Sequence, residues 1–243
     1  MNSKSPHPRV IAALDVEERA RALDLVRILR PALDFYKIGS RLFTAEGPRV
    51  VEEIRSLGGS VFLDLKFHDI PATVAGSIRA AAGLGVAMMT VHTSGGAEMM
   101  RAAADAAAEE AARRGISRPI VVGVTVLTSL SESDLAAIFG TGGEVRDHVR
   151  RLASQARSAG LDGVVASVAE ARLIKAENGP AFKVVTPGIR PAGAATGDQK
   201  RVATPCAAAE AGADFLVVGR PVIEAPSPVD AARAILAELG EVR

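Results

Sequence analysis

Short apolar runs alternate with longer helical stretches along the whole chain, and this alternation constrains the fold more than any other feature. The strand-like runs are Val10–Asp15, Asp34–Gly39, Ser60–Phe67, Val86–His92, Pro119–Leu127, Gly163–Ser167, Lys183–Gly188 and Phe215–Arg220. Most are nearly continuous in apolar residues, the pattern of parallel strands covered on both faces. Between them lie Ala-, Glu- and Arg-rich segments with helical spacing, such as Glu17–Arg30, Ala97–Arg114 and Glu144–Ala159. Gly58, Gly83, Gly115, Gly160 and Gly212 stand where such helices would stop. Eight strand–helix units in 243 residues predict an α/β fold, a single-domain (β/α)8 TIM barrel over residues 1–243. A doubly wound open sheet would favour a G-x-G-x-x-G turn after its first strand. Leu14-Asp15-Val16-Glu17 stands there instead.

Composition narrows the class of partner. Basic and acidic residues number 29 and 28, so the basic excess of a nucleic-acid-coating surface is missing. No apolar run reaches the roughly 18 residues of a spanning helix. Met1 to Val10 is polar, unlike the apolar core of a signal peptide. The expectation is a cytoplasmic chain with no nucleic-acid or membrane partner. Cys206 is the one cysteine, so no intrachain disulfide can form. Its Ala-rich surroundings predict a packing role.

In a barrel of this kind the active site lies at the C-terminal ends of the strands. Polar residues collect at those ends: Asp15, Lys37, His92, Thr128, Arg190 and Arg220. The third strand carries Asp64-Leu65-Lys66-Phe67-His68-Asp69-Ile70-Pro71. Asp64 and Lys66 are two apart, which puts them on one face, roughly 6–7 Å apart along the strand. Leu63, Leu65 and Phe67 then face the helices, and the charged pair faces the barrel mouth. Asp69 follows on the loop, and Lys37 on the adjacent strand can reach Asp64. Buried charges cost several kcal/mol each unless paired, so an alternating set of two lysines and two aspartates is chemically pointed. Only Lys4, Lys37, Lys66, Lys175, Lys183 and Lys200 are lysines among the 29 basic residues, so a strand-end lysine calls for a specific reason. A structural ion-pair cluster capping the barrel is the plainer reading of the same residues.

A second region follows the seventh strand. Pro187-Gly188-Ile189-Arg190 leads into the Gly/Ala/Thr-rich loop Pro191–Asp198 and then Gln199. The eighth strand ends Val218-Gly219-Arg220. Loops after strands seven and eight of such barrels often hold phosphate, and Arg with glycine-freed backbone N–H groups suits a dianion.

Taken together these motifs resemble the orotidine 5′-phosphate decarboxylase family. Asp64-x-Lys66-x-x-Asp69-Ile70-Pro71-x-Thr73 is similar to that family's hallmark. The resemblance extends over Asp15, Tyr36-Lys37-Ile38-Gly39, Val124-Thr125-x-Leu127-Thr128-Ser129, Pro187-Gly188-Ile189-Arg190, Asp198-Gln199-x-Arg201 and Val217-Val218-Gly219-Arg220-Pro221. It spans residues 10 to 222 in the family's order. One departure is Ala72, where the family's pattern leads one to expect Asn.

The resemblance implies a cofactor-free removal of CO2 from C6 of orotidine 5′-phosphate in pyrimidine biosynthesis. It implies that Asp64 sits beside the carboxylate and that Lys66 delivers the proton. Asp15 and Lys37 would bind the ribose hydroxyls, with Lys37 also anchoring Asp64. Thr128 would contact the nucleotide near the base. Arg220, the Gly219 backbone and Gln199 would hold the 5′-phosphate, with Arg190 shaping that pocket. Asp69, Ile70 and Thr73 would come from the second subunit of a homodimer. Four other readings stand beside this one. They are a Mg2+-dependent sugar-phosphate decarboxylase sharing Asp-x-Lys-x-x-Asp, a Schiff-base aldolase through Lys66, a metal hydrolase using His68, His92 and Asp69, and a non-catalytic nucleotide-binding barrel.

Overall fold

The computed structural model describes residues 7–140, 143–191 and 202–240. Eight parallel strands close into a barrel in chain order. They are β1 (Arg9–Ala13), β2 (Phe35–Gly39), β3 (Ser60–Phe67), β4 (Met88–His92), β5 (Ile120–Val124), β6 (Gly163–Val165), β7 (Lys183–Thr186) and β8 (Phe215–Val218). β1 pairs with β8 from Arg9↔Phe215 to Ala12↔Val218, which shuts the ring. The predicted (β/α)8 architecture is what the chain adopts.

Alternation along each strand divides the core in two. Ile11, Phe35, Phe62 and Val185 point inward and pack with one another inside the barrel. Val10, Tyr36, Leu63 and Val184 point outward against the helices. Full burial of one such side chain contributes about 1.5–3 kcal/mol. The same alternation turns Lys37 and Asp64 inward, in step with Phe35 and Phe62 below them.

Several strands leave the ladder two or three residues before their apolar runs end. β5 stops at Val124, β7 at Thr186 and β8 at Val218. The residues just beyond, including Val126, Leu127, Pro187 and Gly219, line the barrel mouth. They are apolar or small because of what they enclose, not because they are paired.

Helix starts and stops follow local chemistry. Pro71 opens the helix Pro71–Gly83, where its missing N–H costs nothing. The helix Gly96–Arg114 ends at Gly115 in the left-handed conformation, as expected. The helix Pro71–Gly83 ends at Gly83, as expected, and Gly85 two residues later takes the positive φ of 73°. Cys206 is a correction. It lies on the exposed face of the short helix Pro205–Glu210, its thiol 3.7 Å from Glu210 Oε1, so it does not serve the core.

Candidate active site

A cavity of about 540 Å3 opens at the C-terminal ends of the strands. Asp15, Lys37, Asp64, Lys66, Thr128, Arg190, Gly219 and Arg220 all contribute to its lining. Small-ligand pockets commonly span about 300–1,000 Å3, so the space suits a nucleotide-sized molecule.

The charged centre is built by register. β2 and β3 pair Gly39 with Asp64, and β1 and β2 pair Ala13 with Lys37. Lys37 is buried, and its Nζ lies 3.0 Å from Asp15 Oδ1 and 3.5 Å from Asp64 Oδ2. Gly39 leaves the room this needs, since a Cβ there would sit 3.1 Å from Lys37 Nζ. Lys66 Nζ approaches the same Asp64 oxygen at 2.9 Å. The expected reach of Lys37 to Asp64 is therefore present, and Asp64 Oδ2 stands between two ammonium groups.

Lys66 is held in an uncommon way. Its φ is 52°, and among the described residues it is the one non-glycine with positive φ. The pairing of β3 with β4 is irregular between Leu63 and Phe67, yet the expected alternation holds: Leu65 and Phe67 pack outward against the helices while Asp64 and Lys66 line the cavity. Conformations of this type cost about 1–3 kcal/mol and persist where surrounding contacts over-determine them. One such contact is the Lys66 N–H, which donates to Thr90 Oγ1 at 2.9 Å.

Electrostatics follow the geometry. Burial works to raise the pKa of Asp64, but the Lys37 and Lys66 charges oppose it. Hydrogen bonds from Lys66 and Thr90 join them, and the net direction is downward. Asp64 is thereby held as a carboxylate. His92 is shifted down by burial, then by His68 and Lys66, so its neutral form is favoured. Its ring centroid lies 5.3 Å from that of His68. Among the described residues no group of three or more His, Cys, Asp or Glu side chains is arranged to hold a metal ion.

Arg190 and Arg220, which follow β7 and β8, also line the cavity. Gly188, with φ of 77°, turns the chain after β7. Arg190 is buried, and its guanidinium donates to Ile189 O at 3.0 Å. Burial and the charge of Arg220 both push its pKa down, so the protonated pair is under mutual repulsion that an anion would relieve.

Comparison with known proteins decides the lineage. The profile of the orotidine 5′-phosphate decarboxylase / HUMPS family matches residues 8–235. The chain belongs to this family. The "Orotidine 5'-phosphate decarboxylase" of Moorella thermoacetica is 51% identical over 235 residues, covering 97% of this chain and 93% of that protein. That of Alcanivorax borkumensis is 49% identical over 230 residues, covering 95% and 97%. The crystal structure of orotidine 5′-phosphate decarboxylase from Lactobacillus acidophilus superposes with a TM-score of 0.83 at 36% identity, over 96% of this chain and 99% of that one.

Within this family member, not every sequence-derived candidate reaches the cavity. Asp69, Ile70 and Thr73 are exposed and do not line it. Asp69 Oδ1 instead accepts the N–H of Ile70 at 2.6 Å. Gln199, with Asp198 and Arg201, lies outside the described residues. Sequence reasoning overlooked Thr90, Arg41 and Glu224. Arg41 and Glu224 line the cavity, and Thr90 bonds both Lys66 and Asp64. The alternation of β4, with Met89 and Val91 turned outward, was a signal that could have turned Thr90 toward Asp64.

Proposed function

We propose that this chain converts orotidine 5′-phosphate to uridine 5′-phosphate and CO2, a carboxy-lyase step of pyrimidine biosynthesis. The observation that carries the reading is the Lys66 ammonium held against Asp64 in the cavity. It occurs in a chain about half identical to relatives bearing that name.

The whole chain works as one barrel domain in this reading. Arg220, Arg190 and the Gly219 backbone bind the 5′-phosphate, joined by Gln199. Asp15 and Lys37 bind the ribose hydroxyls, and Thr128 contacts the base. Asp64 lies beside the C6 carboxylate. The C6–carboxylate bond breaks, its electron pair stays on C6, and CO2 departs. Lys66 then transfers a proton from Nζ to C6 and recovers one from solvent.

The physics favours this assignment of roles. A vinylic carbanion has little resonance relief, and enzymes supply on the order of 20 kcal/mol for the slowest reactions of this kind. A preorganised ammonium stabilises that charge more than it stabilises the bound substrate. Asp64 Oδ2, 2.9 Å from Lys66 Nζ, gives that ammonium a counter-charge. An amine nucleophile would need the reverse, so Schiff-base chemistry is disfavoured.

The active unit is a homodimer in the cytoplasm, with Asp69, Ile70 and Thr73 of each chain completing the other's site. Their exposed position outside their own chain's cavity supports this arrangement. No helix among the described residues is long and apolar enough to cross a membrane.

The test is direct. Orotidine 5′-phosphate should lose its characteristic ultraviolet absorbance when a catalytic amount of the protein is added, and EDTA treatment should leave the rate unchanged. An unchanged spectrum rejects the assignment. A rate that EDTA abolishes and Mg2+ restores points to the sugar-phosphate lyases instead.

A further inference from the structure

We infer that Thr90 is a positioning residue for the reaction, a single hydroxyl that sets both the backbone of Lys66 and the rotation of the Asp64 carboxylate. The inference rests on the roles proposed above for Asp64 and Lys66.

Thr90 lies on β4 with no exposed surface, and it is absent from the cavity lining. It therefore acts through other groups. Its Oγ1 accepts the Lys66 N–H at 2.9 Å and donates to Asp64 Oδ1 at 3.0 Å. Both functions of the hydroxyl are used, one on each partner.

The first bond falls where the β3–β4 ladder is irregular, between Leu63 and Phe67. A backbone N–H that has left regular pairing in a buried setting needs another acceptor. Thr90 supplies it, and it does so at the residue whose φ is 52°. Without that acceptor, the left-handed conformation loses a contact that holds it in place.

The second bond decides which Asp64 oxygen faces the ammonium groups. Oδ1 is tied to Thr90, which leaves Oδ2 for Lys66 Nζ at 2.9 Å and Lys37 Nζ at 3.5 Å. A carboxylate free to rotate would share its oxygens between the two lysines in several ways. Fixing Oδ1 fixes the direction from which Lys66 Nζ is held. A small misplacement of a reacting group can cost about a hundredfold in rate.

Thr90→Val keeps the shape and removes both bonds, while Thr90→Ser keeps the hydroxyl. For Thr90→Val we expect kcat to fall about thirtyfold or more. KM and inhibition by uridine 5′-phosphate should change less than threefold, because Thr90 does not touch the cavity. Thr90→Ser should retain kcat within about fivefold. A crystal structure of Thr90→Val should show Lys66 out of the left-handed region or Asp64 rotated away from Lys66 Nζ.

A Thr90→Val protein with kcat within threefold of wild type overturns the inference. So does an unchanged Lys66 and Asp64 geometry in the crystal, and so does a Thr90→Ser protein as impaired as Thr90→Val. Wild-type turnover of orotidine 5′-phosphate tests the proposed reaction separately. Were the wild type inert, the crystallographic comparison would still decide the role of Thr90.

Discussion

Lys66 Nζ donates to Asp64 Oδ2 at 2.9 Å, although the two residues are separated by only one position on the same strand. The contact coincides with the irregular β3–β4 pairing and the positive φ of Lys66. An uncommon backbone at the proposed proton donor is coherent with pre-organisation, because the cost is met during folding and not during turnover.

Lys66→Ala should lower kcat at least a hundredfold, since an electrostatic group and a proton donor are lost together, each typically contributing about a hundredfold or more. The fold should survive. Asp64 keeps Lys37 at 3.5 Å and Thr90 at 3.0 Å, so no buried carboxylate is stranded. Steady-state kinetics beside a thermal melt checks both halves. Activity within tenfold of wild type contradicts the proton-donor role.

Asp64 makes a prediction about pH. Its folded pKa is depressed, so its contribution to stability is present above the unfolded value of about 3.9 and is lost as pH falls through the lower folded value. Asp64→Asn cannot titrate. The stability gap between wild type and Asp64→Asn should therefore be constant near neutrality and narrow below about pH 4. Urea denaturation of both proteins at a series of pH values measures it. A gap that widens on acidification would show that Asp64 is not held ionised by Lys37 and Lys66.

Much of this was legible before any coordinates. The limits of β3, Ser60–Phe67, match the apolar-and-charged run read from sequence. The inward placement of Lys37 and Asp64 followed from strand alternation. The reach of Lys37 from the adjacent strand to Asp64 was also legible, but the finer pairing of β3 with β4 was not. The left-handed Lys66 arises from an irregularity between β3 and β4, and periodicity within one strand carries no record of it. Thr90 sits within the strand-like run Val86–His92, and its role appears only when β4 is laid beside β3. Cys206 was misjudged for a related reason. An Ala-rich helix announces itself by composition, but composition does not say which side faces the solvent.

Arg220→Ala should weaken binding of orotidine 5′-phosphate by about tenfold or more, because a charge-assisted contact to phosphate is removed. Arg220 lines the cavity with Arg190, whose pKa is lowered by burial and then by the Arg220 charge. The nucleoside lacks the dianion, so its kcat/KM should change less than threefold. Equal losses on nucleotide and nucleoside would remove Arg220 from the phosphate site.

The shared-site homodimer can be tested with two inactive chains. Ile70 is 66% exposed beside Asp69, directly before the helix that Pro71 begins. One exposed isoleucine is unremarkable on its own. Here it stands beside an exposed aspartate and close in sequence to an exposed Thr73, and none of the three lines the charged cavity. A two-fold partner would bring the same loop over each site. Lys66→Ala removes the proton donor from a chain's own cavity. In the proposed arrangement, Asp69→Ala removes the residue that a chain would lend to its partner. In an unlike pair, one site then carries both lesions and the other carries neither. Mixing the two inactive variants under conditions of subunit exchange should restore activity, approaching one working site per unlike dimer, or about a quarter of wild-type activity per chain for random pairing of equal amounts. Exchange can be followed by native mass spectrometry of differently tagged chains. If unlike dimers form and activity stays absent, Asp69 serves its own chain and the site is not shared.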